Sequence, residues 1–254
     1  MSRPWVSVIV PVHEEELLLR STLDGLREAL GNGAWELVVC ENGSRDRSRA
    51  IARRFCVEEP RARLVEIPEA SYGEALRRGL LSSRAQRVVL VDVDLWDAEF
   101  IRDAVARLER CEAVVASKRL GASRDRRSLV RRSLSAAYTA VLRGLADYRG
   151  TDTHGMKAMR RDAALRALSV CVTRDAALDS ELLIRIQRSG GRIVEVPVEV
   201  RELRVSRRSV LQRAPGTVLD LIRLGLALRR SLLPSRPSPA GPVGRVAALD
   251  TLNA

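Results

Sequence analysis

The sequence predicts an α/β fold built on a mostly parallel, doubly wound sheet. Short apolar runs alternate with segments of helical periodicity from the start of the chain to about residue 116. Strand–helix units that repeat at this length are typical of a parallel sheet with helices on both faces. The chain has 254 residues, 46% of them hydrophobic, so it can bury the core that such a sheet requires.

Five strands and four helices are predicted in the first half of the chain. The strongest strand signal is the unbroken apolar run at 88–91, which is the pattern of a central strand buried on both faces. Asn32-Gly33 breaks the first helix, and Ser44 is a favourable N-cap for the second. The predicted strands are 6–10, 36–40, 63–67, 88–91 and 113–116, and the predicted helices are 15–30, 46–55, 72–81 and 98–109.

The pattern becomes less regular after residue 120. Gly190-Gly191 is a favourable C-cap for the helix that precedes it. Pro197 predicts that its strand lies at a sheet edge or carries a bulge, because proline cannot donate a hydrogen bond to a neighbouring strand. The predicted elements are a basic connection at 124–132, helices at 133–145 and 177–189, a loop that leads into a strand at 150–161, and a strand at 193–200.

Three regions follow from these boundaries. Residues 1–205 form a single predicted α/β domain, residues 206–233 a basic helical extension, and residues 234–254 a Pro-rich tail that is predicted to be disordered. Within the extension, 216–233 predicts an amphipathic helix with leucines near one stripe and arginines beside them. Such a helix suits either packing on the domain or the surface of a bilayer.

The formal charge of +12 does not by itself identify a nucleic-acid-binding protein. Aromatic residues make up only 3% of the chain, which leaves few side chains for base stacking. Arginine fills every basic position except Lys118 and Lys157, so the charge reflects composition as much as selection for a polyanion. The local arginine clusters suit an anionic membrane surface or a phosphorylated substrate equally well. We therefore expect no nucleic-acid partner.

Three features predict a cytoplasmic location. The chain enters a predicted strand almost at once, so no signal peptide is expected. No run approaches roughly 18 apolar residues, so no membrane span is expected. The four cysteines have no metal-ligand spacing and no close pairing, which fits a reducing compartment.

Asp92 and Asp94 follow the predicted central strand directly. A carboxylate at this point lies at the carboxyl end of the sheet, where open α/β folds bind their ligands. Two carboxylates one residue apart can share a hard cation such as Mg²⁺, which usually fills its remaining positions with water and substrate phosphates. The pair therefore predicts a metal-bridged diphosphate, although a D-x-D sequence alone also ends strands by chance.

Several further segments carry a resemblance to a known family, and they occur in the family's order over about residues 5–205. They are S-V-I-V-P-V-H-E-E-E at 7–16, E-N-G-S at 41–44, Gly73 to Gly79, D-V-D at 92–94, D-T-H-G-M-K-A-M-R-R at 152–161, and the stretch from E-L-L at 181–183 to E-V-P-V at 195–198. On these residues the chain resembles the family 2 glycosyltransferases of GT-A fold, in particular the branch that contains dolichol- or polyprenyl-phosphate hexose synthases.

The resemblance implies a Rossmann-like GT-A domain that binds a GDP- or UDP-hexose together with Mg²⁺ or Mn²⁺. Asp92 and Asp94 would hold the metal ion on the donor diphosphate, and Asp94 is also a candidate catalytic residue. The residues that the resemblance implies in donor binding are Pro11, His13, Glu15, Glu41, Gly43, Gly73, Asp92 and Val93.

The acceptor decides which residues complete the site. A phosphate monoester is largely ionised near neutral pH, so it needs cations to position it rather than a general base. A hydroxyl acceptor needs a base within hydrogen-bonding reach. The candidate bases are Asp152 and Glu181, although Glu181 can equally pair with Arg185 four residues along. The resemblance places phosphate-binding arginines near Arg119, Arg131, Arg132, Arg201 and Arg204.

The sequence thus favours an inverting glycosyltransferase that moves one hexose from a nucleotide sugar to a polyprenyl phosphate at the cytosolic face of a membrane. The same donor chemistry on a soluble hydroxyl acceptor, such as a small metabolite or glycan, is a second hypothesis. A non-catalytic nucleotide-sugar-binding protein is a third hypothesis, because four positions depart from the family's pattern: His13, Glu14, Asn42 and Trp96.

Overall fold

The structure, a computed structural model, describes residues 3–120, 124–125, 129–173, 177–200, 224–226 and 228. Its centre is a seven-stranded sheet with helices on both faces. The strands of this sheet are β1 Val6–Val12, β2 Trp35–Asn42, β3 Ala62–Ile67, β4 Arg87–Leu90, β5 Ala113–Ser117, β7 Lys157–Arg160 and β8 Ile193–Pro197, and β6 Arg124–Asp125 pairs with β9 Glu199–Val200 outside it. The helices are α1 Leu19–Leu30, α2 Ser48–Glu58, α3 Tyr72–Ser82, α4 Ala98–Arg107, α5 Leu129–Ala146, α6 Arg161–Ser169 and α7 Leu178–Arg188.

The strand order in the sheet is β3-β2-β1-β4-β7-β5-β8. Neighbouring strands are parallel except at β7, which runs antiparallel to both β4 and β5. The order reverses at β1, because β2 lies on one side of it and β4 on the other. Open α/β folds bind ligands in the crevice outside the carboxyl ends of the strands at such a reversal. The predicted mostly parallel, doubly wound α/β fold is therefore confirmed.

The two faces of the sheet have separate cores, and β1 shows why. Val8 and Val10 belong to the first core and Ile9 to the second, and all three side chains are fully buried. Successive side chains of a strand point to opposite faces, so consecutive apolar residues bury both faces. Helices α1, α2 and α4 cover the first face, whereas α3, α6 and α7 cover the second.

Several element boundaries differ from the predicted ones. α1 begins at Leu19, later than predicted, because residues 13–16 form a loop that is tied by hydrogen bonds to the loop after β2. The predicted N-cap role of Ser44 is wrong: α2 begins at Ser48, and the Ser44 hydroxyl accepts a hydrogen bond from the Glu14 backbone N–H instead. α6 follows β7 directly and lies outside the predicted elements.

The predicted edge position of Pro197 is confirmed, because this residue ends β8 and β8 is the outermost strand of the sheet. Most of the C-terminal extension and tail, 206–254, lies outside the described residues. Residues 224–226 and 228 are helical, and Leu224 and Leu228 are buried in the second core. Within the part of the chain that the structure describes, no helix has the length and apolar character needed to cross a membrane.

Gly79 lets α3 lie directly on the sheet. A Cβ atom at this position would come within 2.4 Å of Ile9 Cγ2 and 3.0 Å of Cys40 Sγ. Both neighbours are fully buried in β1 and β2, so neither can move aside without disturbing the core. Gly79 closes one of the segments on which the family resemblance rests, and the atoms it faces belong to the sheet.

We expect Gly79→Ala to lower the free energy of unfolding by about 1–2 kcal/mol. Overpacking of a dense core typically costs about 1–3 kcal/mol, and the better helix propensity of alanine offsets at most about 1 kcal/mol of that. The matched control is Gly144→Ala in α5, where a Cβ atom would meet nothing within 4 Å, so stability should stay equal or rise. Urea denaturation measures both changes, and equal effects of the two substitutions would contradict the packing argument.

Candidate active site

The candidate site lies at one edge of the sheet. The parallel strands β1, β2, β4 and β5 end at this edge, and β7 begins there because it runs the opposite way. Side chains that follow these strand ends therefore start close to the point where the strand order reverses. The residues in question are His13, Gly43, Asp92 and Lys118 after the parallel strands and Lys157 at the start of β7.

Hydrogen bonds join the loops after β1 and β2. His13 Nδ1 lies 2.7 Å from the carbonyl oxygen of Asn42, and because that oxygen only accepts, Nδ1 carries the proton. Asn42 Oδ1 accepts from the backbone N–H of Ser71 at 2.6 Å, just before α3. Gly43 has φ 63°, and a Cβ atom there would come within 2.9 Å of neighbouring backbone, so the turn requires glycine. The structure thus brings His13 and Gly43 together, and their contact with a nucleotide stays a prediction.

Glu41 is fully buried at the end of β2. One carboxylate oxygen accepts from the Ser44 backbone N–H at 2.6 Å, and the other accepts from Arg49 Nε at 2.8 Å. Burial favours the neutral acid, but these hydrogen bonds outweigh it and lower the pKa of Glu41. To contact a nucleoside, as predicted, Glu41 would have to give up its hydrogen bond to Ser44 or to Arg49. This contact stays a prediction. Pro11 and Glu15, also predicted to bind the donor, lie partly buried at the end of β1 and in the loop after it.

Asp92 and Asp94 belong to a tight turn after β4. Hydrogen bonds close the turn from Asp92 N to Leu95 O at 3.1 Å and from Leu95 N to Asp92 O at 3.2 Å. Val93 is buried between the two aspartates, and its carbonyl oxygen accepts from Thr22 Oγ1 of α1 at 2.7 Å. Both aspartates keep part of their surface exposed. The turn therefore presents two neighbouring carboxylates at the carboxyl end of β4.

The residues just after this turn have structural roles. The Trp96 ring packs so closely on α1 that a Cβ atom at Gly25 would come within 2.7 Å of it. Asp97 caps α4, because its Oδ1 accepts from the Phe100 backbone N–H at 2.6 Å. Across the described ranges, no group of three or more His, Cys, Asp or Glu side chains is arranged to hold a metal ion. The protein's share of a metal site would be two carboxylates, a number that Mg²⁺ commonly accepts.

The two lysines of the chain both lie at this edge of the sheet. The Lys118 and Lys157 side chains are only 6% and 0% exposed. Lys118 Nζ lies 3.3 Å from Asp152 Oδ2, and Lys157 Nζ lies 2.9 Å from Asp179 Oδ2. A buried charge is costly unless it is paired, so each lysine and its aspartate require one another.

Asp152 organises the loop before β7. Its Oδ1 accepts from the backbone N–H groups of Thr153 at 2.9 Å and His154 at 3.1 Å, while its Oδ2 faces Lys118. Lys118 Nζ also donates to the His154 carbonyl oxygen at 2.6 Å, which ties β5 to the same loop. Both oxygens of Asp152 are therefore engaged, and its predicted role as a base stays a prediction.

Glu181 is fully buried in the first turn of α7. It accepts hydrogen bonds from Val172 N, Thr173 N and Thr173 Oγ1 over 2.7–3.1 Å. Arg185 Nη2 lies 3.0 Å from Glu181 Oε1, so the ion pair offered above as the alternative is present. These contacts favour a structural role for Glu181 over its predicted role as a base.

Asp179 is the acidic residue of the site that sequence reasoning missed. Tyr72 OH donates to its Oδ2 at 3.0 Å, and this same oxygen faces Lys157. Its Oδ1 is buried and has no hydrogen-bond partner among the described residues. Gly73, predicted to lie near the donor, is buried next to Tyr72. A usable signal was the rarity of lysine, because the only two lysines of an arginine-rich chain stand out by composition, and one of them pairs with Asp179.

Burial and neighbouring charges shift two titrations at the site. Burial raises the pKa of Asp92 to about 6, with Asp179 and Asp94 adding to the rise and Lys157 opposing it. Burial likewise lowers the pKa of His154, with Lys157 and Lys118 adding to the fall, so this imidazole is neutral near pH 7. Among the described residues, burial and the neighbouring carboxylates disfavour the ionised form of Asp92 more than Lys157 and Lys118 favour it.

The predicted acceptor arginines are only partly covered by the structure. Arg119 follows β5 and Arg132 lies on α5, and both side chains are exposed. Arg131 is also on α5, but its side chain lies outside the described part of the chain, as do Arg201 and Arg204 entirely. Binding of an acceptor phosphate by these five residues stays a prediction.

Asp92 should make the stability of the metal-free protein depend on pH. Its pKa is about 6 when folded against an ordinary 3.8, so the folded state binds the proton more tightly and stability falls as pH rises between these values. In the presence of a chelator and above about pH 6, we expect the free energy of unfolding of Asp92→Asn to be higher than that of the wild type by on the order of 2 kcal/mol, because the amide carries no charge. The advantage should vanish near about pH 4; an equal advantage at both pH values in urea denaturation would contradict the effect of partial burial on the pKa of Asp92.

Comparison with known proteins agrees with the fold. The family described as Glycosyl transferase family 2 matches residues 7–168. A dolichyl-phosphate beta-glucosyltransferase of Trichomonas vaginalis is 26% identical over 222 residues, which cover 81% of this chain and 68% of that protein. A dolichyl-phosphate hexose transferase of Haloferax volcanii is 28% identical over 230 residues, which cover 90% of this chain and 92% of that protein.

Solved structures show the same architecture. The crystal structure of glucosyl-3-phosphoglycerate synthase from Mycobacterium tuberculosis in complex with Mn²⁺, UDP and glucosyl-3-phosphoglycerate has a TM-score of 0.65 and 25% identity, with 89% of this chain and 80% of that one covered. The complex of that enzyme with UDP has a TM-score of 0.68 at 24% identity and bears on the fold alone. The GT-A fold implied by the sequence resemblance is confirmed. The match over more than half of its length means that this chain belongs to glycosyl transferase family 2.

Proposed function

We propose that the protein is an inverting, metal-dependent hexosyltransferase that moves one hexose from a UDP- or GDP-sugar to a polyprenyl phosphate. The observation that carries the proposal is the turn of the partly exposed Asp92 and Asp94 at the carboxyl end of β4, which together with four buried charged residues forms an acidic cluster. The members of this acidic cluster are Asp92, Asp94, Asp152, Asp179, Lys118 and Lys157.

The acidic cluster favours a divalent cation. Its four aspartates exceed its two lysines by two negative charges, and His154 adds none because its pKa is lowered. The partly exposed carboxylates of Asp92 and Asp94 would hold Mg²⁺ or Mn²⁺, and the ion would neutralise charge on the departing nucleoside diphosphate. A bound cation would favour the ionised form of Asp92, which burial and the neighbouring carboxylates among the described residues disfavour.

The state of the candidate bases supports a phosphate acceptor. Asp152 and Glu181 are buried and already accept several hydrogen bonds, so neither is ready to take a proton from a hydroxyl. A phosphate monoester is largely ionised and requires no base. Its oxygen would form a bond to the anomeric carbon as the bond from that carbon to the diphosphate breaks on the opposite face, which inverts the configuration.

The named relatives support both a lipid and a soluble acceptor. The Trichomonas vaginalis and Haloferax volcanii proteins are named for transfer to dolichyl phosphate, a polyprenyl-type phosphate. The Mycobacterium tuberculosis synthase is named for a soluble phosphorylated product. We favour the lipid because Asp152 and Glu181, the predicted bases, already accept several hydrogen bonds and are not poised to take a proton from a hydroxyl. A soluble acceptor is the second candidate.

A lipid acceptor would bring the reaction to the cytosolic face of a membrane, with the protein bound peripherally. Arg119 and Arg132 are exposed, and α5 also exposes Val141 and Leu145 at 39% and 42%. Cationic and apolar groups on the surface suit the headgroup region of an anionic bilayer. A non-catalytic nucleotide-sugar-binding protein is a further alternative, and binding of the donor without turnover by any acceptor would favour it.

The metal part of this proposal depends on Asp94. We expect Asp94→Asn to lower the rate of Mn²⁺-dependent turnover of the sugar nucleotide by about 100-fold or more, because a group that stabilises developing charge is removed. Asp103→Asn on α4 is the matched control, since the Asp103 side chain is 44% exposed and pairs with Arg107 one turn away, and it should leave the rate unchanged. Full activity of an Asp92→Ala, Asp94→Ala double variant would end the metal hypothesis.

The acceptor class is decided by where the sugar goes. With a radiolabelled donor, Mn²⁺ and vesicles that contain a polyprenyl phosphate, we expect label to enter the organic extract, because the product carries the lipid chain. The same vesicles without the polyprenyl phosphate are the control. Label that remains in the aqueous phase on a phosphorylated metabolite would reject the lipid acceptor and select the soluble one.

A further inference from the structure

Lys157 occupies an unusual place for a lysine. It opens β7, and its Cα is paired with Leu90 of β4 on one side and Val115 of β5 on the other. Its side chain is 0% exposed, whereas lysine normally keeps its ammonium in water. The Nζ atom donates to the Gly155 carbonyl oxygen at 2.9 Å and lies 2.9 Å from Asp179 Oδ2. The ammonium is thus enclosed at the middle of the acidic edge.

The contacts of Asp179 show what this ammonium does. One oxygen of Asp179 faces both Lys157 and Tyr72 OH, while the other is buried without a partner among the described residues. Because Leu90 and Lys157 are cross-strand partners, their side chains lie on the same face of the sheet. Leu90 ends β4 two residues before Asp92. One cation therefore pairs with a carboxylate of α7 beside the strand end that leads to Asp92.

We propose that Lys157 is a positioning residue that acts as a resident counter-ion of the acidic cluster. It holds Asp179 in place when no metal is bound, and its charge weakens the attraction of the cluster for a free divalent ion. Mg²⁺ or Mn²⁺ then binds firmly only together with the donor diphosphate, which adds negative charge. This inference rests on the proposed metal-dependent function and concerns how that same site is loaded.

Charge, rather than shape, is the property that the proposal assigns to Lys157. Loss of its charge would leave three uncompensated aspartates in place of two, so a free divalent ion should bind more tightly while the metal-free fold becomes weaker. A role in packing alone predicts a weaker fold without tighter metal binding. The charge role therefore predicts a higher metal affinity after loss of Lys157, and the packing role predicts no such rise. Metal affinity is measurable without any catalytic turnover.

The test uses the full chain, stripped of metal, and titrates Mn²⁺ by electron paramagnetic resonance with and without UDP. We expect Lys157→Met to bind Mn²⁺ alone about tenfold more tightly than the wild type and to melt at a lower temperature in chelator. Lys157→Arg keeps the charge and should retain the wild-type Mn²⁺ affinity. Arg54→Met, which removes a cation that is 79% exposed on α2, is the matched control and should change neither quantity.

A second variant keeps the test decisive if Lys157→Met does not fold. Asp179→Asn should weaken Mn²⁺ binding about tenfold, and the Lys157→Met, Asp179→Asn pair should return it toward the wild type, because the two charges are removed together. Unchanged or weaker Mn²⁺ binding in Lys157→Met, or an unchanged affinity in Asp179→Asn, overturns the inference and leaves the proposed function standing. A wild-type protein that binds no Mn²⁺ even with UDP overturns both.

Discussion

Two buried ion pairs, Lys118 with Asp152 and Lys157 with Asp179, are the constraint on which the site depends. A sheet edge that collects four aspartates repels itself unless cations are built into it. The reversed direction of β7 solves this, because it brings the start of a strand, and with it Lys157, among the ends of β4 and β5. The polarity of one strand thus allows the carboxylates to be concentrated at one place.

The remaining parts of the site are arranged around that edge. The turn after β4 is closed on itself and held to α1 by Thr22, so Asp92 and Asp94 are presented on a rigid support. On the other side of β1, the bond from His13 to Asn42 locks the loops that face the crevice. A donor whose diphosphate lies at the aspartates would therefore have its nucleoside directed toward the β1–β2 side. A rigid frame of this kind limits the reorganisation that transfer requires.

The sequence was sufficient for the strands of the sheet, for the helices α1 to α7 except α6, and for the position of the Asp92 turn, because these follow from apolar runs and local spacing. It did not reveal that β7 is antiparallel, since strand direction is set by tertiary pairing and leaves no local signal. Asp179 was not predicted as a site residue for the same reason, because its place in the site is set by contacts with Lys157 and Tyr72, which are distant in sequence. Ser44 was misassigned because its hydroxyl serves a neighbouring loop in place of its own helix.

The central claim is that the two unbalanced charges of the acidic edge are neutralised by one metal ion that the donor brings to Asp92 and Asp94. A crystal structure of the wild-type chain with UDP and Mn²⁺, using anomalous scattering to locate manganese, tests this most directly. The account predicts one manganese peak, which lies between a carboxylate of this pair and the UDP phosphates. A peak elsewhere, or UDP phosphates bound away from the β4 turn, would contradict it.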